Sequence, residues 1–238
     1  MELFLTIGEQ ELTPTLINSL IVFVILILFF IICGITISRA NPRKPSKGFM
    51  AILEVTYQGV LTFVGQNVGD AAWKYVPFIV TVAMYLGIAN LVGLVGLRPP
   101  TTDINITVAL TLVTLIYIML TGVFTKGFWK YLKDTYVGNV PKVMLILFIP
   151  INIVGELSKI ISLSFRLFGN IVSGALLLSL ISQLFIWLFE LMPLIGWMPS
   201  LLLPFFNAYF DVFAGLMQTF IFCTLSMLWI KSATEKAA

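Results

Sequence analysis

Histidine is absent from the 238 residues, and only 11% of them are charged. The first absence excludes imidazole acid–base catalysis and histidine-ligated metal centres. The second excludes an ordinary soluble domain, where about a quarter of residues are Asp, Glu, Lys or Arg. Cysteine is scarce: Cys33 and Cys223 lie in apolar runs, which marks them as small core residues and not a disulfide. No Lys or Arg precedes Arg39. The first apolar run therefore lacks the positive flank of a cleaved leader and reads as a retained span. No repeat relates one half of the chain to the other, which weighs against an inverted-repeat transporter. No nucleophile with its base and no metal-ligand cluster is evident, which weighs against a membrane enzyme.

What is present is hydrocarbon. Apolar residues make up 59% of the chain, and the mean hydropathy is +1.04. A single water-soluble core cannot hide that much apolar surface, so lipid must solvate part of it. The expected fold is an all-α polytopic membrane protein forming one membrane domain over 1–238, with five crossings and one interfacial helix.

The segments follow in order. Residues 1–38 hold an outer N-terminus and a first span over 15–38, long enough to cross about 30 Å of hydrocarbon. Residues 39–74 hold a basic, Pro-containing loop and a helix over 49–69. That helix carries Glu54, Gln58, Gln66 and Asn67, so it lies at the interface or packs across other helices. Residues 75–125 hold the second and third spans, over 75–97 and 106–124, separated by "RPPTTDIN", where two prolines force a turn. Residues 126–141 read as a basic loop with interfacial aromatics. Residues 142–231 form a long helical hairpin, with a Pro-containing turn over 192–200. The stretch from Lys142 to Leu191 would measure roughly 75 Å as one helix, more than twice the hydrocarbon thickness. The last two helices are therefore expected to be long and tilted.

Eleven Lys and Arg fall in the 39–74 and 125–142 segments and at the C-terminus, against Arg98 alone on the other side. The positive-inside rule then places the N-terminus outside and the C-terminus in the cytoplasm.

Two residues of the basic set, Lys159 and Arg166, are embedded in the hairpin. Arg166 stands in "SKIISLSFRLFGNIVSGALLLSL", where a charge costs roughly 2.5–3.5 kcal/mol on insertion scales. Asn152, Glu156, Lys159, Ser162, Arg166, Asn170 and Ser173 share one helix face within an arc of about 120°. On the last helix Asn207, Asp211 and Gln218 share an arc of about 40°, and Gly215 allows a neighbour to approach that side. Two polar lines at membrane depth, facing one another, can hold a hydrated path, with the apolar faces turned to lipid. Each line has a plainer reading. Ser162 and Ser173 can be interhelical hydrogen-bond glue, Glu156 and Lys159 a structural ion pair, and Asn90 glue near the outer interface. Arg166 can be a counter-ion to Glu156 or Asp211.

The motif "LSKIISLSFRLFGNIVSG" closely resembles the signature of subunit a of the F-type ATP synthase, the membrane stator facing the rotating c-ring. "FDVFAGLMQTFIF" resembles that family's last-helix motif, and "IANLVGLVGLRPPTTDINITVAL" its second and third spans. The similarity runs from about residue 40 to 230. It implies two aqueous half-channels opening to opposite sides of the membrane and ending near the essential arginine, here Arg166. An ion, expected to be H+, neutralises a ring carboxylate, rides almost a full turn and leaves by the other channel. Gln218, Asn170 and Asp211 match positions lining the outer half-channel or surrounding the arginine, and Asn207, Glu156 and Ser162 complete the expected ion-translocation set. Implied partners are the c-ring, the peripheral-stalk subunit b and the bilayer of a bacterial inner membrane. No nucleic acid, small-molecule substrate other than the ion, cofactor or metal is expected, and no catalysis by the chain alone. Two departures matter. Asn152 and Ala175 stand where many relatives carry a titratable residue, which leaves Asp211 as the outer-channel acid and Glu156 as the one acid remaining beside Asn152. The competing class is an ion-coupled secondary transporter with an Arg–Asp switch.

Overall fold

A computed structural model describes residues 6–7, 10–11, 13–39, 48–69, 71–137, 141, 144–190 and 198–235. The fold is all-α and polytopic. Among the described residues, five helices are long and apolar enough to cross a membrane: Pro14–Ser38, Val76–Val95, Ile104–Lys126, Leu145–Trp187 and Leu202–Thr234. A two-residue antiparallel ladder, Thr6–Ile7 with Gln10–Glu11, precedes them. Most of the expected basic loop after the first span, Lys142, most of the turn over 192–200 and Lys236 lie outside the described residues.

Helix α1 (Pro14–Ser38) starts with proline in its first turn, where the missing N–H costs nothing. Only Val22, Leu26 and Cys33 are buried on it, one line at helical spacing, so most of its surface is left for lipid. Polar contacts tie its first turns to the bundle. Asn18 Nδ2 donates to the Arg98 carbonyl at 2.9 Å, Thr15 Oγ1 to Asp103 Oδ2 at 3.1 Å, and Ser19 Oγ lies 2.7 Å from the Tyr85 hydroxyl. Helix α2 (Phe49–Val68) is mostly exposed and packs chiefly on the last helix through its buried Val64.

Helix α3 (Val76–Leu91) runs into a 3-10 turn, Val92–Val95. Gly96 closes that turn in the left-handed region at φ 78°, a conformation glycine adopts without penalty. The two prolines do break the chain: a second 3-10 turn spans Pro100–Thr102. Asp103 then caps α4 (Ile104–Lys126) by accepting from the Asn105 backbone N–H at 2.9 Å. The buried threonines of α4 satisfy themselves. Thr111 and Thr114 donate to carbonyls four residues back, and Thr107 to one three residues back.

The expected loop over 126–141 is more ordered than its composition suggests. Gly127 turns the chain at φ 86°, and α5 (Phe128–Leu132) is followed by a turn of π-helix, Lys133–Val137. Packing explains it. Tyr131 is buried against Gly122 of α4, and a Cβ on Gly122 would lie 2.7 Å from Tyr131 Cδ2.

Helix α6 (Leu145–Glu190) has 46 residues and α7 (Met198–Thr234) has 37. At 1.5 Å per residue they measure about 69 and 56 Å, so neither fits upright within about 30 Å of hydrocarbon. Pro150 lies near the start of α6 and Pro204 near that of α7. The core sits where α7 meets α3, α4 and α6. Leu163 and Leu167 of α6, Val82 and Leu86 of α3, and Phe222 of α7 form one cluster. Tyr75, Ile79, Leu115, Ile118, Met227 and Ile230 anchor another.

Candidate ion-translocation site

The α6–α7 seam carries the site. Apolar residues Leu163 and Leu167 point α6 into the bundle, and this sets where the polar stripe falls. The stripe lies at the edge of the seam and not at its centre: Arg166 is half-buried, while Ser162, Asn170 and Ser173 are exposed. The reason is that α6 buries its most apolar face first. The expected division, apolar to lipid and polar inward, is thus rotated, and the polar edge is left open on the chain's own surface.

One hydrogen bond joins the two polar lines. Asn170 Nδ2 donates to Gln218 Oε1 at 2.5 Å. Gln218 is fully buried, and its Nε2 has no partner among the described residues. A buried amide donor without an acceptor costs about 1–3 kcal/mol, so it favours any acceptor or water that reaches it. Arg166 is one turn from Asn170 on α6. No carboxylate among the described residues lies within 4 Å of its guanidinium, so neither of its suggested counter-ions, Glu156 and Asp211, pairs with it.

Asp211 is placed by the turn after α3 instead. A Cβ on Gly93 would stand 2.9 Å from Asp211 Oδ2 and 3.4 Å from Pro99 Cγ, so the carboxyl rests against the 3-10 turn. One turn along α7, Gly215 receives Asn90, whose Cβ would lie 2.8 Å from an added Cβ. Asn90 Nδ2 donates to the Gly215 carbonyl at 3.3 Å, and Thr101 Oγ1 donates to Asn90 Oδ1 at 2.8 Å. Asn90 is therefore the interhelical glue expected of it, and it fixes α7 between Asp211 and Gln218. The Asn207 side chain lies outside the described residues.

At the lysine-bearing end, Lys159 Nζ donates to Glu156 Oε1 at 2.5 Å, the expected i,i+3 ion pair, and lies 5.8 Å from the Trp229 ring centroid. Both charges line a cavity of about 190 Å³ together with Lys126, Tyr131, Asp134 and Thr135. Lys126 and Asp134 are 3.7 Å apart. Burial pushes the Tyr131 phenol above its ordinary range; a hydrogen bond with Thr135 partly offsets this, and the nearby Glu156 charge adds to it. At the start of the stripe, Asn152 Nδ2 donates to the Tyr136 carbonyl at 3.1 Å, so Asn152 fastens the π-helical turn to α6.

The structure brings together Asn170 with Gln218, and Glu156 with Lys159. It places Asp211 on a separate contact with the Val92–Val95 turn. Three features escaped sequence reasoning. Ser164 Oγ is buried with no partner among the described residues. Gly93 cradles Asp211, and Asp134 lines the cavity of Glu156 and Lys159. Ser164 lies off the polar arc, and the other two depend on contacts between distant segments, so no local pattern signals them.

A family model described as ATP synthase A chain matches residues 16–231. Curated proteins named ATP synthase subunit a align along most of the chain. The one from Sulfurovum sp. strain NBC37-1 is 32% identical, covering 91% of this chain and 82% of its own. That of Campylobacter jejuni is 31% identical, covering 87% and 85%, and that of Mycoplasma pneumoniae 27%, covering 94% and 81%. With five membrane-length helices, the Arg166 motif in the α6–α7 seam and a match over nearly its whole length, this chain belongs to the ATP synthase A chain family.

Proposed function

We propose that the chain is the stator of an ion-driven rotary motor, coupling H+ flow to rotation of a c-ring and so to ATP synthesis. The observation that carries this is Arg166: a fixed cation at the edge of the α6–α7 seam, beside an open polar strip, with no carboxylate among the described residues within 4 Å. Arginine keeps its proton at any working pH, so its charge is permanent. A permanent cation facing a moving carboxylate favours its ionised form and promotes release of the ion it carries. It also raises the cost for a cation to pass directly between two half-channels.

In this reading Ser162, Asn170 and Ser173 face the ring. Gln218 and Asn170 bridge α6 and α7 beside the arginine, and Asp211 relays protons in the outer half-channel between α3 and α7. Asn207 continues that line, and the Glu156 cavity marks the inner side. The N-terminus is outside, the C-terminus is in the cytoplasm, and the complex sits in a bacterial inner membrane, where a peripheral-stalk subunit b holds the stator still. The chain catalyses no chemistry itself. Gentle purification tests the assignment. A stator comes out with a ring of small hairpin subunits, each with a membrane carboxylate. Recovery of a homo-oligomer alone, still transporting a solute, contradicts it.

A further inference from the structure

We infer that the basic end of the bundle carries a phospholipid site between α3, α4 and α7, with the lipid phosphate held by Lys74 and Lys231. A cavity of about 710 Å³ opens there, within the roughly 300–1,000 Å³ of small-ligand sites. Its walls come from helix ends at one level, with Val68 at the end of α2 and Ala71 completing the lining. Lys74 and Tyr75 lie just before α3 begins, Phe124 and Thr125 in the last turn of α4, and Lys231 and Glu235 where α7 ends. That level is the boundary between hydrocarbon and headgroups, because all three helices are membrane-length and end there.

The charges are free to act. Lys74 and Lys231 are both exposed, and neither has a carboxylate within 4 Å among the described residues. Lys74 Nζ only leans on the neighbouring Trp73 ring, 5.5 Å from its centroid. The threonine hydroxyls on the cavity wall are committed. Thr121, Thr125 and Thr234 donate their hydroxyl protons to carbonyls of their own helices, leaving only acceptor lone pairs toward the cavity. The two ammonium groups are therefore the charged donors available to an anion. Glu235 supplies one opposing charge, which disfavours a free multivalent anion and suits an ester whose charge is a single phosphate. The apolar parts fit the remainder of a lipid. Phe124, 85% exposed, lines the cavity, and Trp73 next to Lys74 is 62% exposed, a residue type that sits at headgroup depth. Basic pockets between membrane helices are where phospholipid headgroups bind.

The test uses the assembled complex in detergent, with phosphatidylglycerol as probe and retained lipid counted by native mass spectrometry. Lys74→Gln with Lys231→Gln is expected to lower retained phosphatidylglycerol about thirtyfold, given two lysines at a membrane surface. Each single change is expected to give a smaller loss. Lys74→Arg with Lys231→Arg keeps the charge and is expected to retain the lipid, and Glu235→Gln to retain more. Subunit content serves as the assembly control, since both lysines are exposed. Equal retention in the double glutamine variant overturns the site, as does equal loss in the arginine pair. Displacement of the lipid by inorganic phosphate alone assigns the cavity to a solute anion and overturns the lipid reading.

Discussion

Alanine at Gly93 perturbs Asp211 without changing its chemistry. The added Cβ would stand 2.9 Å from Asp211 Oδ2 and 3.3 Å from its carboxyl carbon. Comfortable contacts between non-bonded heavy atoms lie near 3.5 Å, so the carboxyl must retreat by about 0.5 Å. Gly93 is not among the glycines at positive φ, so alanine brings no backbone strain. The retreat is cheap for the fold because the clash is with the tip of a side chain. It is costly for a proton relay, where a displacement of about 1 Å can cost about a hundredfold. We expect potential-driven ATP synthesis in membrane vesicles to fall about three- to tenfold with normal assembly. Gly87→Ala is the matched control, since nothing lies within 4 Å of its added Cβ. In an Asp211→Asn background, Gly93→Ala should add no further loss, because the group it displaces no longer carries a proton. Equal rates for Gly93→Ala and Gly87→Ala would refute the reasoning.

Asp211→Asn itself should slow ion-driven synthesis strongly with assembly intact, and Ala175→Glu in that background should restore part of the flux; normal flux in the Asn variant sinks the relay. Cysteines at Asn170 and Gln218, with Cys33 and Cys223 removed, should cross-link readily because their side chains already touch; failure with every reagent length in an intact complex contradicts the seam. Gly122→Ala should cost about 1–3 kcal/mol by overpacking against the buried Tyr131 ring, read as a lower melting temperature of the complex; an unchanged melting temperature means α5 is not held there.

The spans were legible because hydrophobic length and the Pro/Gly breaks are local properties. Pro14, the Pro99–Pro100 pair and Gly127 mark boundaries that the structure shares to within a few residues. The Glu156–Lys159 pair was legible because three residues make one helical step. The helix over 128–137 was not, since its order comes from burying Tyr131 under Gly122 of another element. The face that α6 turns inward was also hidden. The polar arc alone suggested an inward stripe, but Leu163 and Leu167 claim the contact with α3 and α7 and push Arg166 to the edge. Asp211 looked able to pair with Arg166, but it rests against Gly93, and no carboxylate among the described residues lies within 4 Å of Arg166.

The central claim is that a permanent charge at Arg166 is required for coupling. Ion-driven ATP synthesis measured in vesicles carrying Arg166→Ala or Arg166→Lys, each normalised to assembled complex, tests it most directly. Alanine is expected to abolish synthesis and lysine to cause a severe loss, because its ammonium lacks the planar fork and can deprotonate when desolvated. Near-normal synthesis in the lysine variant would contradict it.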